Sequence, residues 1–195
     1  MKLQQNGLYS EELGFLKEAS FNSGDYLPSS QHYAWFLKKG IVKTYTWNQE
    51  GNCIILGYWG TGELVGQPLS VVAPYKMQCR TAVEAERVPT QSWLHWGRCL
   101  HHHCQQNEEL LLINRCEPLV ERLGLFLSWL ASKVGKPVDE GWQIDFKLTH
   151  QELAEAIGSS RVTITRLLSQ LEQQEVIKRF NNRDIVVKVL KSVMD

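Results

Sequence analysis

The chain has 195 residues, 43% hydrophobic and 10% aromatic, which excludes wholesale disorder and allows one domain or two small ones. Lys+Arg and Asp+Glu both number 21, a formal net charge of zero, so a protein basic along its whole length is excluded while a local basic face is not. No window approaches ~18 consecutive apolar residues, and Met1 to Ser20 lacks the apolar run of a secretory signal, so neither a membrane span nor export is expected.

The first half reads as short strands punctuated by glycine turns. Phe21 to Pro28 (FNSGDYLP) carries a Gly-Asp turn between apolar positions, and Tyr33 to Leu37 is aromatic-rich. Gly40 to Trp47 alternates, with Ile41, Lys43 and Tyr45 on one face and Val42, Thr44 and Thr46 on the other. A turn at Asn48 to Asn52 leads into a second β-rich run, Cys53 to Trp59. Gly57, Gly60, Gly62 and Gly66 follow closely, and Cys79 to Pro89 reads as one more strand. This pattern predicts an all-β sandwich, barrel or roll.

The period changes after about residue 98. Glu108 to Cys116 follows helical spacing, and in the next run Leu119, Leu123, Phe126, Leu127 and Leu130 fall on one helical face. Pro118 lies between the runs and is expected to open a new helix, because proline suits a first turn and breaks an interior one. The expected divisions are therefore 1–97, 98–117 and 118–195. Gly135 to Gln143 is expected to be a loop.

The most informative segment is Leu148 to Arg179. Thr149 with Glu152 fits a capping box at the start of a short helix ending near Ile157. Gly158 suits a left-handed turn, and a second helix is expected from about Ser160 to Gln173. In it, Ile164, Leu167, Leu168 and Leu171 form a buried stripe. Arg161, Val162, Thr165, Arg166 and Ser169 fall on the other side. Arginine can donate two hydrogen bonds to guanine and valine can touch a thymine methyl, while Ser160 and Thr163 suit phosphate contacts. Val176 to Arg179, an Asn181-Asn182 turn and Asp184 to Val189 read as a β-hairpin wing. Between Gly158 and Lys191, seven Lys/Arg face three Asp/Glu, a basic surplus of four in a neutral chain. Lys178 and Arg183 in the wing suit phosphate. Helix, turn, helix, wing and charge together point to double-stranded DNA.

These motifs resemble the CRP/FNR family of bacterial transcription regulators over nearly the whole chain. FNSGDYLP, FLKKGIVKTY and ILGYWGTGELVG are similar to the family's β-roll, RLGLFLSWLASKVG to the helix opening its DNA-binding domain, and LTHQELAEAIGSSRVTITRLLSQLE to its helix-turn-helix. The last resembles the cyanobacterial nitrogen-control branch most. The resemblance implies an α+β fold: an N-terminal antiparallel β-roll (a cyclic-nucleotide-binding-like jelly roll), a connecting helix and a C-terminal winged helix-turn-helix. It implies a cytoplasmic homodimer on a palindromic DNA site, with RNA polymerase as a further partner. Arg161, Val162 and Arg166 match the base-reading positions. Cyclic-AMP-binding members carry glutamate where Val162 stands, which implies a different half-site here, closer to the GTA type.

The resemblance also implies an anionic effector held by Gly62, Glu63, Gly66, Gln67, Arg80 and Thr81. Glycines expose backbone N–H groups and arginine holds anions bidentately. Yet Gln67 stands where a ribose-binding glutamate is expected and Pro68 removes a donor, so cyclic AMP fits poorly. The bland alternative is that Arg80 pairs with a neighbouring acid. The connecting segment has room for only about twenty helical residues, and Leu110, Leu111, Leu112 and Ile113 give it an apolar surface.

A second function is a redox, haem or metal sensor on the same fold. Cys53, Cys79, Cys99, Cys104 and Cys116 are scattered and form no C-x-x-C, and Met1 to Ser20 holds no cysteine, against an iron–sulfur site or disulfide framework. His101, His102 and His103 cannot all face one ion from a regular helix, and read as a polar helix start. No metal or cofactor is expected. No nucleophile elbow, P-loop or H-E-x-x-H occurs, so no enzymatic activity is expected either.

Overall fold

The computed structural model of the protein describes residues 18–144, 146–180 and 184–188. Seven strands build the N-terminal part: β1 (Glu18–Phe21), β2 (Tyr33–Lys39), β3 (Val42–Trp47), β4 (Cys53–Trp59), β5 (Leu64–Val65), β6 (Lys76–Cys79) and β7 (Val83–Pro89). They form two antiparallel sheets, ordered β1-β7-β2-β5 and β4-β3-β6. Between the sheets lie Trp35, Leu37, Val83 and Ala85 from the first, and Val42, Trp59, Met77 and Cys79 from the second. Full burial of the Leu, Val and Met side chains among them contributes about 1.5–3 kcal/mol each.

Two of the places where the chain crosses from one sheet to the other are adjacent. Gly40-Ile41 joins β2 to β3, and Arg80 to Ala82 joins β6 to β7. The two crossings are tied together: Arg80 N donates to Ile41 O at 2.7 Å, and Ile41 N to Thr81 Oγ1 at 2.9 Å. The expected single strand from Cys79 to Pro89 is therefore corrected to the end of β6, a corner, and β7. Alternation along a sequence continues through such a corner, because only the pairing partners change.

A 3₁₀ segment (Thr90–Trp96) leads into helix α1 (Gly97–Arg115), of 19 residues. Trp93, Trp96, Cys99 and Leu100 cover the outer face of the first sheet around Ala34, Leu64 and Val88. Cys116 ends α1 in an extended conformation, and Pro118 caps helix α2 (Leu119–Val134), as the sequence predicts. Leu123, Phe126, Leu127 and Leu130 are buried along one face of α2.

Gly135 to Gln143 is not a loop. It forms strands β8 (Gly135–Val138) and β9 (Gly141–Ile144), a hairpin that pairs with the wing. A polar stretch with a proline carries no strand periodicity, and its pairing depends on a partner more than forty residues away. Helices α3 (His150–Ile157) and α4 (Arg161–Gln173) follow, then β10 (Ile177–Phe180) and β11 (Asp184–Val187). The four strands form a sheet in the order β10-β11-β9-β8. The expected Asn181-Asn182 turn lies outside the described residues.

The largest apolar cluster ignores the expected division of the chain. Ile41 and Tyr58 of the β-roll pack into it with Phe126, Phe146, Leu153 and Ile157 of the C-terminal part. As a result β3 is buried on both faces, although its sequence alternates. One face fills the roll and the other meets α3. Among the described residues, no helix is long and apolar enough to cross a membrane.

Candidate nucleic-acid interface and effector residues

The helix-turn-helix forms as its local chemistry dictates. Thr149 Oγ1 accepts from Glu152 N at 3.1 Å, and Glu152 Oε2 accepts from Thr149 N at 3.1 Å, the reciprocal capping box. Gly158 takes φ 67°, ψ 51°, the left-handed conformation that ends α3 without a Cβ penalty. Ser160 then caps α4, its Oγ accepting from Thr163 N at 3.1 Å. Ile164, Leu167, Leu168 and Leu171 are buried, which fixes the rotation of α4.

That rotation turns Arg161, Val162, Thr165 and Arg166 to solvent, with Val162 82% exposed. An open groove of about 920 Å³ is lined by Val162, Thr165, Arg166, Ser169, Gln170 and Gln173. Among the described residues, neither Arg161 nor Arg166 meets a carboxylate. Thr165 Oγ1 donates to Arg161 O at 3.1 Å and lies 2.8 Å from His150 Nδ1, so α3 braces the exposed face of α4. Burial lowers the pKa of His150, and the positive charges of Arg179 and Arg161 lower it further. Sequence reasoning missed His150; its only sign was its place beside Thr149 at a helix start.

The wing cations are less open. Lys178 Nζ lies 2.7 Å from both carboxylate oxygens of Glu140, in the β8–β9 turn. Arg179 holds Glu172 through Nε at 3.1 Å and Nη2 at 2.6 Å. Arg183 lies outside the described residues. Arg161 and Arg166 at the start of α4, unlike Lys178 and Arg179, meet no carboxylate among the described residues.

The six predicted effector residues do not converge on one anion seat. Gly62 and Glu63 lie in the β4–β5 turn, where Glu63 meets Lys133 Nζ at 3.2 Å, Gln106, and Gly60 N at 2.6 Å. Gly66 abuts β2: a Cβ there would lie 2.9 Å from Ala34 Cα, so its small size serves packing. Gln67 Nε2 donates to Val72 O at 3.1 Å within its own loop. Thr81 sits at the sheet-crossing corner. Arg80 turns outward from the roll: Nη1 lies 3.0 Å from Glu152 Oε1, and Nη2 lies 3.2 Å from Glu152 Oε2 and 2.8 Å from Lys147 O. An intramolecular carboxylate therefore occupies the guanidinium expected to hold an effector. Sequence spacing could not show this, because the partner is 72 residues away.

A separate cavity of about 470 Å³ lies between the β4–β5 turn, α1 and α2, lined in part by Glu63, His102, Gln106, Glu109 and Lys133. Beside it His103 is buried and stacked on Trp59, with ring centroids 4.2 Å apart. The polar helix start expected for His101 to His103 is corrected at this position, since the third imidazole faces inward. Burial lowers the His103 pKa to about 4. Burial also lowers Lys133 to about 8, against the pull of Glu63. Among the described residues no group of three or more His, Cys, Asp or Glu side chains is placed to hold a metal. All five cysteines are free, and burial pushes the Cys53 and Cys79 thiols up to about 11 and about 12, away from reactive thiolates.

Comparison with known proteins agrees with this frame. Residues 121–192 match the Crp-like helix-turn-helix domain. Over 165 residues the chain is 38% identical to the Regulatory protein CysR of Synechococcus elongatus, covering 83% of this chain and 79% of that protein. Over 56 residues it is 52% identical to the Global nitrogen regulator of Nostoc sp., covering 29% of this chain and 25% of that protein. A CRP-family transcriptional regulator from Thermus thermophilus shares the fold with a TM-score of 0.74 at 17% identity, over 88% of this chain and 92% of that one. A solvent-facing recognition helix carried on this β-roll frame has the relatives its geometry calls for: the chain belongs to the CRP/FNR family of DNA-binding transcription regulators.

Proposed function

We propose that the protein acts as a homodimer on a palindromic site, with one α4 in the major groove of each half-site. The observation that carries this reading is the start of α4, where Arg161, Val162, Thr165 and Arg166 are exposed and the two arginines have no carboxylate partner among the described residues. Arg161 and Arg166 read guanine edges and Val162 a thymine methyl. Ser160, Thr163 and the free N–H groups of the helix start take phosphate. Lys178 approaches the backbone from the wing, where the sequence also expects Arg183 to take phosphate.

Dimerisation uses α1, where Leu111 and Leu112 are 59% and 45% exposed. The working division of the chain is 1–97 for the β-roll, 98–117 for the connecting helix and 118–195 for the DNA-binding part. RNA polymerase is the expected second partner and the cytoplasm the expected location. The roll is not organised for cyclic AMP: Gln67 and Pro68 replace the ribose-binding pattern and Arg80 is committed to Glu152. Calorimetry with cyclic AMP tests that point, and micromolar binding would overturn it.

The central test is selection of bound duplexes from a random pool, followed by affinity against salt. The expected result is a palindrome with half-sites one helical turn apart, and an affinity that falls steeply with salt as counterion release loses its driving force. No enrichment over random DNA at moderate salt would sink the reading.

A further inference from the structure

Glu152 is the meeting point of two parts of the molecule. Its Oε1 accepts from Lys43 Nζ at 2.9 Å and lies 3.0 Å from Arg80 Nη1; its Oε2 lies 3.2 Å from Arg80 Nη2 and 3.1 Å from Thr149 N. Lys43 is on β3 and Arg80 on the sheet-crossing corner, while Glu152 and Thr149 form the capped start of α3. The side chains of Lys43 and Glu152 are 8% and 9% exposed, and that of Arg80 18%. Two cations share one carboxylate, and each is also seated on an aromatic face: Lys43 is 5.1 Å from the centre of the Tyr45 ring and Arg80 5.6 Å from that of Phe146.

Beside this group, Tyr58 of the roll packs on Phe126 and Phe146 at 6.3 and 5.6 Å between ring centres. Apolar contact of that kind holds two surfaces together but is non-directional, so it tolerates rotation. A two-pronged guanidinium–carboxylate pair does not, because both prongs must stay in line. The carboxylate is itself fixed to the first turn of α3 by the capping box. The turn from Gly158 to Ser160 then passes the orientation of α3 to α4.

We propose that Lys43, Arg80 and Glu152 form a clamp that sets the angle of the recognition helix relative to the β-roll, making them positioning residues for half-site spacing rather than for base identity. The inference rests on the homodimer reading above. In a dimer held through the rest of the chain, the angle of each α4 decides which separation of half-sites both helices can reach together. A change of one base pair moves a half-site by about 3.4 Å, so a freed angle relaxes the spacing preference.

The test compares full-length wild type with Arg80→Ala, Lys43→Met and Glu152→Gln on three duplexes: the selected palindrome, the same palindrome with one base pair inserted at its centre, and a single half-site. Glu152→Gln keeps an oxygen for the cap at Thr149 N but removes the charge, and Arg80→Ala leaves the helix-turn-helix untouched. Each variant is expected to lose about ten-fold or more on the palindrome, to change less than about three-fold on the half-site, and to discriminate less against the inserted base pair. Arg80→Ala combined with Glu152→Gln should cost less than the sum of the two single variants, since both break the Arg80–Glu152 contact, although each also removes one of its own, to Lys147 O and to Lys43. Equal losses on palindrome and half-site, or unchanged spacing preference in variants that keep wild-type melting, would overturn the clamp. If wild type itself gained nothing from the second half-site, the homodimer reading would fall first, and the clamp with it.

Discussion

Arg161 and Arg166 have no carboxylate partner among the described residues, whereas Lys178 sits on Glu140 and Arg179 on Glu172, and the two pairs are expected to respond differently to substitution. Arg161→Ala or Arg166→Ala is expected to cost about 1–3 kcal/mol on the best site and to relax base preference, measured by titration against single-base variants. Lys178→Ala is expected to weaken all sequences alike. It should lower the salt slope by less than the ~1 of a fully available cation, because Glu140 already neutralises it. A loss of base preference in Lys178→Ala would contradict that division. His103 makes a different prediction. Its folded pKa, about 4, lies below the ordinary 6.5, because burial disfavours the imidazolium and Lys133 adds to this against the pull of Glu63. The unfolded chain then binds more protons between these values. Stability is full above pH 6.5 and falls as pH drops toward 4, by about 2–3 kcal/mol. Urea unfolding from pH 7 to 4.5 should show this slope, and His103→Phe, which keeps a ring against Trp59, should flatten it.

At the scale of elements, two breaks in helical structure set where the functional helices lie. Gly158 has a positive φ and open space around it, so a side chain there meets strain rather than a clash. Gly158→Ala is expected to cost about 1 kcal/mol in chemical unfolding and to leave α3 and α4 otherwise intact. A neutral substitution would mean the turn relaxes out of the left-handed region. The other break lies between α1 and α2. Pro118 O accepts from Glu121 N and Arg122 N at 3.0 and 3.1 Å, and Arg122 reaches back to Cys116 O at 3.0 Å and across to Ile157 O at 3.1 Å. One guanidinium thus satisfies carbonyls at the ends of α1 and α3. Pro118→Ala should fold, yet shift DNA affinity several-fold by altering the angle between α1 and α2. Unchanged binding would place the hinge elsewhere.

At the scale of the whole molecule, the main core crosses the expected division of the chain, so the β-roll and the winged helix-turn-helix share apolar burial as well as the Glu152 ion pairs. One cooperative unfolding transition is the expected behaviour in calorimetry. The proposed dimer surface, Leu111 and Leu112 of α1, lies outside that core, to which the same helix gives Ile113. Leu111→Glu with Leu112→Glu introduces charge on exposed positions of α1 and should give a monomer by light scattering, with half-site affinity retained and palindrome affinity lost. A dimer that survives both substitutions would put the interface elsewhere on the chain.

Local chemistry was enough to place the helix-turn-helix. The Thr149–Glu152 cap, Gly158, the Ser160 cap and the Ile164 to Leu171 stripe act within a few residues of one another, so spacing alone settles which face of α4 is open. The runs of β2, β3 and β4 were legible from their own alternation, as was the break at Pro118, whereas β1, β5 and most of β6 were not. What depended on residues far apart was not. The β8–β9 hairpin exists because β11 pairs with it, His103 is buried because Trp59 stacks on it, and the corner at Arg80 forms because β6 and β7 belong to different sheets. Glu152 shows both sides of this division in one side chain. Its cap could be read from Thr149 three positions before it, but its charge meets Lys43 and Arg80, 109 and 72 residues away, and only the tertiary structure decides which long-range pair of charges comes within 3 Å.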